Sequence, residues 1–454
     1  MKHFLFCLIS VLLYVCAPNE YSYDYCVLAN ILYCGGVLFH FNSSYRTIIS
    51  FEGLFSVSFW FVNFVYPVFY YLDRPTILFF SHPFNESVIT KCTCLALVAY
   101  SFFLFGIRNS KLNVYGKGYF QLDTDALKIR ILENVSFATI CFFVLYAFSG
   151  GLSVLDEMYS GGVSSRKGIY QYFNLFFQIL VLVYSSMIVF ERRRFQKKLH
   201  FVLLFGILIP LLLVGSRTLF LYSVLILFFS HNEFFCRFNM MKIVPIALLG
   251  MIVMYAVLLN RSGLDVSQAA EYVNDYPFDV FIDLIINNRN LYVLYDYTQL
   301  EGVRYLKGHI ADIFGILPGF ANLVINFFYS TESILTLSSG GLTTYLEFGS
   351  DSVPVGLGTN MVGEAFSAFG IIGVMVIFFS IGKIISFLRK KARVSLYYYY
   401  SYCVFLSFPV FYPRASFLPN LRFFIWGLAI LWLLAHYKIC FRITQKRGLS
   451  KCVE

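Results

Sequence analysis

The sequence predicts an all-α polytopic membrane protein of about twelve transmembrane helices with one large loop outside the membrane. Three observations carry that prediction. Of the 454 residues, 59% are hydrophobic and only 13% charged, whereas a soluble protein keeps roughly a quarter of its residues charged. Stretches of about 17–25 apolar residues recur along the chain, each enough to cross ~30 Å of hydrocarbon as a helix. One long, mostly polar segment, Asn260 to Asn360, interrupts the series.

Taken in order, the apolar runs place helices near 4–17, 25–41, 48–71, 88–106, 132–149, 169–190, 200–214, 217–230, 243–259, 361–386, 396–412 and 421–438. The first run is short and follows Lys2 and His3, so a signal peptide's apolar region competes with a retained helix. The second run, close behind it, favours retention. Residues 1–259 thus carry nine helices, 260–360 the loop, and 361–454 three more helices and a basic tail. Within the loop, Asp279 to Tyr297 reads as a helix. Ile310 to Phe328 is apolar but broken by Gly315, Pro318 and Gly319, which fits an amphipathic or re-entrant helix better than a span. Tyr397 to Tyr400, with Tyr402, reads as an interfacial aromatic belt.

The formal charge of +10 does not point to nucleic acid, because the basic residues sit in short loops such as Glu191 to Lys198 and Arg389 to Arg393. Such clusters are topology signals. With the N-terminus inside, the cytoplasmic segments are strongly positive and the opposite side negative. Both termini are then cytoplasmic and the long loop faces the periplasm or exterior. The eleven cysteines lie mostly within apolar runs and show no zinc-finger spacing, so no metal is expected. There is no Gly-x-Ser-x-Gly elbow and no His-Glu-x-x-His helix.

Charges near membrane depth are costly and therefore informative. Arg217 lies in the tight turn Gly215 to Thr218, where its planar fork could meet phosphate oxygens or simply snorkel to the interface. Arg414 and Arg422 flank a second turn of the same kind. Arg261, Arg289, Arg304, Lys307 and His309 come from the loop. Several guanidinium groups converging on one cavity would suit a pyrophosphate, with an ion pair to a nearby Asp or Glu as the competing role for each arginine. His309, the loop's one histidine, is a candidate base. Glu364 stands one turn inside the tenth helix, where the helix dipole favours an anion. Gly363, Ser367 and Gly370 share a face of that helix and predict close packing.

The Gly215-Ser216-Arg217 turn, the stretch Tyr305 to Gly308 leading to Ile316-Leu317-Pro318, and the entry Gly358 to Gly373 together resemble the O-antigen polymerase (Wzy-type) family. The family's Arg-x10-Gly spacing occurs from Arg304 to Gly315; a second copy in the earlier loop, Gly150 to Gly168, is absent. The resemblance implies a bacterial inner-membrane glycosyltransferase of GT-C-like architecture, with no cofactor or essential metal. It implies a substrate linked to undecaprenyl pyrophosphate, whose oligosaccharide repeats are polymerised at the periplasmic face. A chain-length regulator and a flippase are the implied partners, with membrane lipid and no nucleic acid. Arg217, Arg289, Glu364 and His309 would then be catalytic. Arg261, Arg304, Lys307, Arg414 and Arg422 would bind pyrophosphate or glycan. Two alternatives share the layout: an O-antigen ligase, and a flippase or other transporter of lipid-linked sugar. The paired halves typical of transporters are not evident in this chain.

Overall fold

In hydrocarbon a backbone must satisfy its own hydrogen bonds, so apolar runs of this length become helices. The computed structural model describes residues 2–44, 49–107, 125–151, 167–191, 193–214, 217–234, 250, 278–349, 356–418 and 420–436. Among them there is no strand. Among the described residues, eight helices precede the long loop: α1 Lys2–Cys16, α2 Tyr23–Ser44, α3 Phe51–Asn63, α4 Ile89–Ile107, α5 Asp125–Phe148, α6 Lys167–Ile188, α7 Arg194–Leu213 and α8 Arg217–Phe234. The loop contributes α9 Asn288–Glu301, α10 Ile310–Phe314, α11 Phe320–Phe328 and α12 Gly341–Phe348, with short helical turns before α9. The last three are α13 Met361–Lys391, α14 Leu396–Ser407 and α15 Leu421–His436. Among the described residues, five stretches are long and apolar enough to cross a membrane: Tyr23–Asn42, Glu86–Ile107, Lys128–Phe148, Arg194–Leu213 and Met361–Lys391. The helix expected over 243–259 lies outside the described residues.

Several expected helices are interrupted, each for a local reason. The run 48–71 ends as an α-helix at Asn63 and continues as a π-helix over Tyr66–Tyr70. Pro67 lies in that segment and has no N–H to give the ladder. The run 396–412 stops at Ser407, two residues before Pro409, and resumes as a 3-10 turn at Tyr412–Arg414. In the loop, α10 and α11 are parted at Gly319, which adopts φ 78°, a left-handed angle that glycine takes without strain. Past that turn, Leu323, Phe327 and Phe328 of α11 are exposed.

The core gathers around α4 and α13. Their backbones touch where Gly106 meets Gly382: a Cβ on Gly106 would run into the Phe379 carbonyl, and one on Gly382 into that of Phe103. Only glycine permits this approach. α1 packs on the other side of α4, with the Ser10 and Ser101 hydroxyls 2.7 Å apart. The predicted glycine face of α13 is used differently. Gly363 does lie close against Leu291 and Leu294 of α9. Gly370, however, takes φ 64° and, with Phe369, breaks the helix. The long polar segment is therefore no free excursion, because α9 is sunk into the bundle against α4 and α13.

Two ionic clamps hold the ends. At the end away from the loop, Arg389 is 2% exposed and its terminal nitrogens each lie 2.5 Å from a Glu52 oxygen. Its Nε is 2.6 Å from Glu233 and 2.9 Å from the Tyr402 hydroxyl, which also donates to Glu233. Arg389, the first residue of the short basic cluster Arg389 to Arg393, is thus a buried member of an ion-pair network. Glu52 opens α3 and Glu233 closes α8, so both carboxylates arrive where α13 ends. The aromatic belt is corrected here. Tyr399, Tyr400 and Tyr402 are buried, and Tyr399 and Tyr400 donate to the carbonyls of Ser186 and Phe423. At the loop end, Arg289 is 1% exposed, 2.5 Å from Glu347, and donates to the carbonyls of His82 and Pro83.

Removing one partner of a buried pair leaves an uncompensated charge, which costs about 3–5 kcal/mol. Arg389→Ala and Arg289→Ala are each expected to lose stability of that order. Thermal unfolding of the detergent-solubilised protein checks this, and an unchanged Tm in either variant would contradict the clamp.

Candidate functional site

The site is built where the loop folds back over the start of α13. Asn360 caps that helix, its side-chain oxygen accepting from Val362 and Gly363 N–H at 2.9 and 3.3 Å. Glu364 follows in the first turn and is 6% exposed. Further along, the break at Phe369 and Gly370 frees the Ser367 carbonyl from the helix ladder, and Arg304 N–H takes it at 2.8 Å. This bond pins the turn after α9, in which Tyr305 holds a strained φ of 53°. A 3-10 turn, Lys307–His309, then delivers His309 into the interior, 4% exposed, with its ring 4.5 Å from that of Phe417.

His309 Nε2 stands 3.4 Å from Glu364 Oε2. Among the described residues neither ring nitrogen of His309 nor this oxygen has a properly formed hydrogen bond. Buried polar atoms are almost always paired, so three orphans in one contact mark a place prepared for something else. They border a narrow hollow, with about 20 Å³ of room, that Arg304, Tyr305 and Ser367 also line. Arg304 Nη2 donates to the Thr336 carbonyl at 2.6 Å, and burial pulls the guanidinium pKa down from its ordinary value.

A second hollow, about 1280 Å³ with its open mouth, lies next to the first. Gln178, Tyr222, Asp312, Asn420 and Arg422 line it, and Ser339 faces both hollows. The two meet at the turn entering α12. Ser339 N–H donates to Asp312 at 2.8 Å and Gly340 N–H donates to Glu364 at 3.0 Å. Two carboxylates, one lining each hollow, are thus held by successive peptide groups. Burial raises the Asp312 pKa, and the Ser339 bonds and nearby His309 offset part of that rise.

The residues singled out in the sequence divide accordingly. His309, Glu364 and Arg304 meet in the smaller hollow, and Arg422 lines the larger one. A Cβ on Gly315 would collide with the Ala311 carbonyl oxygen and with the Arg422 guanidinium, and the backbone clash gives the glycine of the Arg304-to-Gly315 spacing a packing reason. Arg217 opens α8 beside Thr218, a residue of the larger hollow. Lys307 pairs with Glu332 at 2.7 Å, half exposed. Arg414 is bound to the Asp283 carboxylate and carbonyl, each at 2.7 Å. Arg261 lies outside the described residues. The expected gathering of arginines around one chamber is therefore corrected: Arg289 and Arg414 line neither hollow, because Glu347 and Asp283 lie within reach and claim them. Asp312 was not singled out. Its one signal was a lone carboxylate inside the apolar stretch after His309.

Among the described residues, no group of three or more His, Cys, Asp or Glu side chains is placed to hold a metal ion. No curated protein and no solved structure matches the chain significantly. The family model of the O-antigen polysaccharide polymerase Wzy matches residues 1–447, and the chain belongs to that family.

Proposed function

We propose that this member of the Wzy family lengthens O-antigen, or a related surface polysaccharide, by glycosyl transfer between repeats linked to undecaprenyl pyrophosphate. The reaction takes place at the periplasmic face of the inner membrane, the side to which the loop is assigned, on a GT-C-like bundle of about twelve spans with both termini in the cytoplasm. One observation carries this reading: the buried, incompletely bonded His309–Glu364 pair bordering a hollow with Arg304, which adjoins a larger hollow with Arg422.

In the proposed step an acceptor sugar hydroxyl enters the smaller hollow and gives its proton to His309. Glu364 orients the ring and balances the charge the imidazole acquires. The acceptor oxygen bonds to the donor's anomeric carbon. The bond from that carbon to the pyrophosphate oxygen breaks, and the pyrophosphate departs with the electron pair. Arg422 meets the charge that builds on the leaving group, with Arg304 adding positive potential from the adjoining hollow. No nucleotide is needed, because the donor already carries its leaving group.

General-base catalysis contributes ~10²–10⁴-fold. His309→Ala and Glu364→Gln are each expected to slow polymerisation in membrane vesicles by about that factor. In a deletion strain, both should reach the membrane at the wild-type level while surface glycan carries a single repeat. Wild-type chain length in both variants would refute the reading. Long polymer accumulating on its lipid carrier would indicate a ligase instead.

A further inference from the structure

The two hollows differ in chemistry. The smaller is bounded by the acid–base pair and backbone turns. The larger is lined by aromatic rings, Tyr222 and Phe411 among them, together with the hydrogen-bonding side chains of Gln178, Asn420 and Asp312 and the cation of Arg422. A pyranose needs that combination: an apolar C–H face to lay on an aromatic ring, and a fringe of hydroxyls requiring carboxylate or amide partners. Small-molecule sites typically run about 300–1,000 Å³, and this hollow, about 440 Å³ without its open mouth, falls within that range. It has room for a sugar and a diphosphate together.

Asp312 stands at a telling place in it. One carboxylate oxygen takes the Ser339 N–H, and an ionised carboxylate has further lone pairs to offer. The neighbouring peptide N–H holds Glu364, whose other oxygen faces His309. His309 is near enough to Asp312 to act on its charge, so a sugar held by Asp312 would lie close to an oxygen activated by His309 where the two hollows meet.

We infer that the larger hollow is the donor subsite for a glycosyl pyrophosphate: the sugar ring lies on Tyr222, its hydroxyls meet Asn420 and Asp312, and its diphosphate meets Arg422. Asp312 is then a catalytic residue. As the bond to pyrophosphate stretches, positive charge spreads over the anomeric carbon and ring oxygen, and the fixed negative charge of Asp312 stabilises it. The inference rests on the proposed polymerase reading and adds to it the residues that hold the donor.

Stability offers an independent readout. Burial raises the folded-state pKa of Asp312 above its unfolded value. Between those two values the folded chain holds a proton that the unfolded chain has lost, so stability falls as pH rises through that window. Arg422 lines the same hollow, and His309 and Glu364 act on Asp312 electrostatically from the smaller one. A carboxylate kept for catalysis is a liability that its amide isostere relieves.

The test uses the full-length protein in nanodiscs, with lipid-linked repeat extracted from the host strain as the probe. Tyr222→Leu and Asn420→Ala should raise KM several-fold with kcat little changed. Asp312→Asn should lower kcat by ~10²-fold with KM nearly unchanged. It should also melt above wild type at pH 7, the gap closing as pH falls. Wild-type kcat in Asp312→Asn, or wild-type KM in both Tyr222→Leu and Asn420→Ala, overturns the inference. So does a lowered Tm in Asp312→Asn, which would make the carboxylate a support for Ser339. Normal polymerisation by the His309 and Glu364 variants alongside these defects would sink the acid–base assignment and leave the donor subsite standing; the reverse pattern would sink only the subsite.

Discussion

Contact between two helix backbones at Gly106 and Gly382 fixes the position of everything else in this molecule. It seats α13 against α4 without side chains between them. α13 then acts as the common support: Glu364 stands at one end, Arg389 at the other, and a break lies between. Lipid supplies no hydrophobic force to join helices, so close packing and interhelical hydrogen bonds must do it. The Arg389 clamp supplements that packing by drawing α3, α8 and α14 to the same helix.

The break in α13 connects the packing to the chemistry. A continuous helix would have spent the Ser367 carbonyl on its own ladder. With Phe369 and Gly370 out of helical conformation, that carbonyl is available to the Arg304 peptide, and the turn bearing Arg304 and His309 is tied directly beside Glu364. The histidine enters the bundle because a backbone group was left over. Membrane proteins tolerate such irregular backbone only where protein or a cavity surrounds it. Here a hollow adjoins it.

Much of this was legible in the sequence. Apolar run length located most of the helices to within a few residues, and Gly319 marked the interruption between α10 and α11. The family was readable from three short segments, and the match over 1–447 agrees with them. His309 and Glu364 were picked out as a loop histidine and a helix-start carboxylate, without any sign that they meet. Pairings were the hidden part. Arg389 and Glu52 lie 337 positions apart and Arg289 and Glu347 58 apart, and composition says nothing of which carboxylate an arginine will reach. Gly370 was read as a packing residue because the pattern i, i+4, i+7 assumes an unbroken helix, and its positive φ cannot be seen in a spacing. Tyr399, Tyr400 and Tyr402 looked interfacial because tyrosine commonly is, yet their hydroxyls found partners inside the bundle.

The two hollows meet at a single turn of main chain, and its successive amides are committed to a carboxylate of each. Any shift that widened one compartment would pull on the carboxylate serving the other. On the proposed reading, divergence toward a different sugar must leave Ser339 and Gly340 in place and proceed through the remote lining, at Gln178, Tyr222 and Asn420. Relatives with unlike polysaccharides would then keep a common reaction centre while their specificity drifts at its periphery.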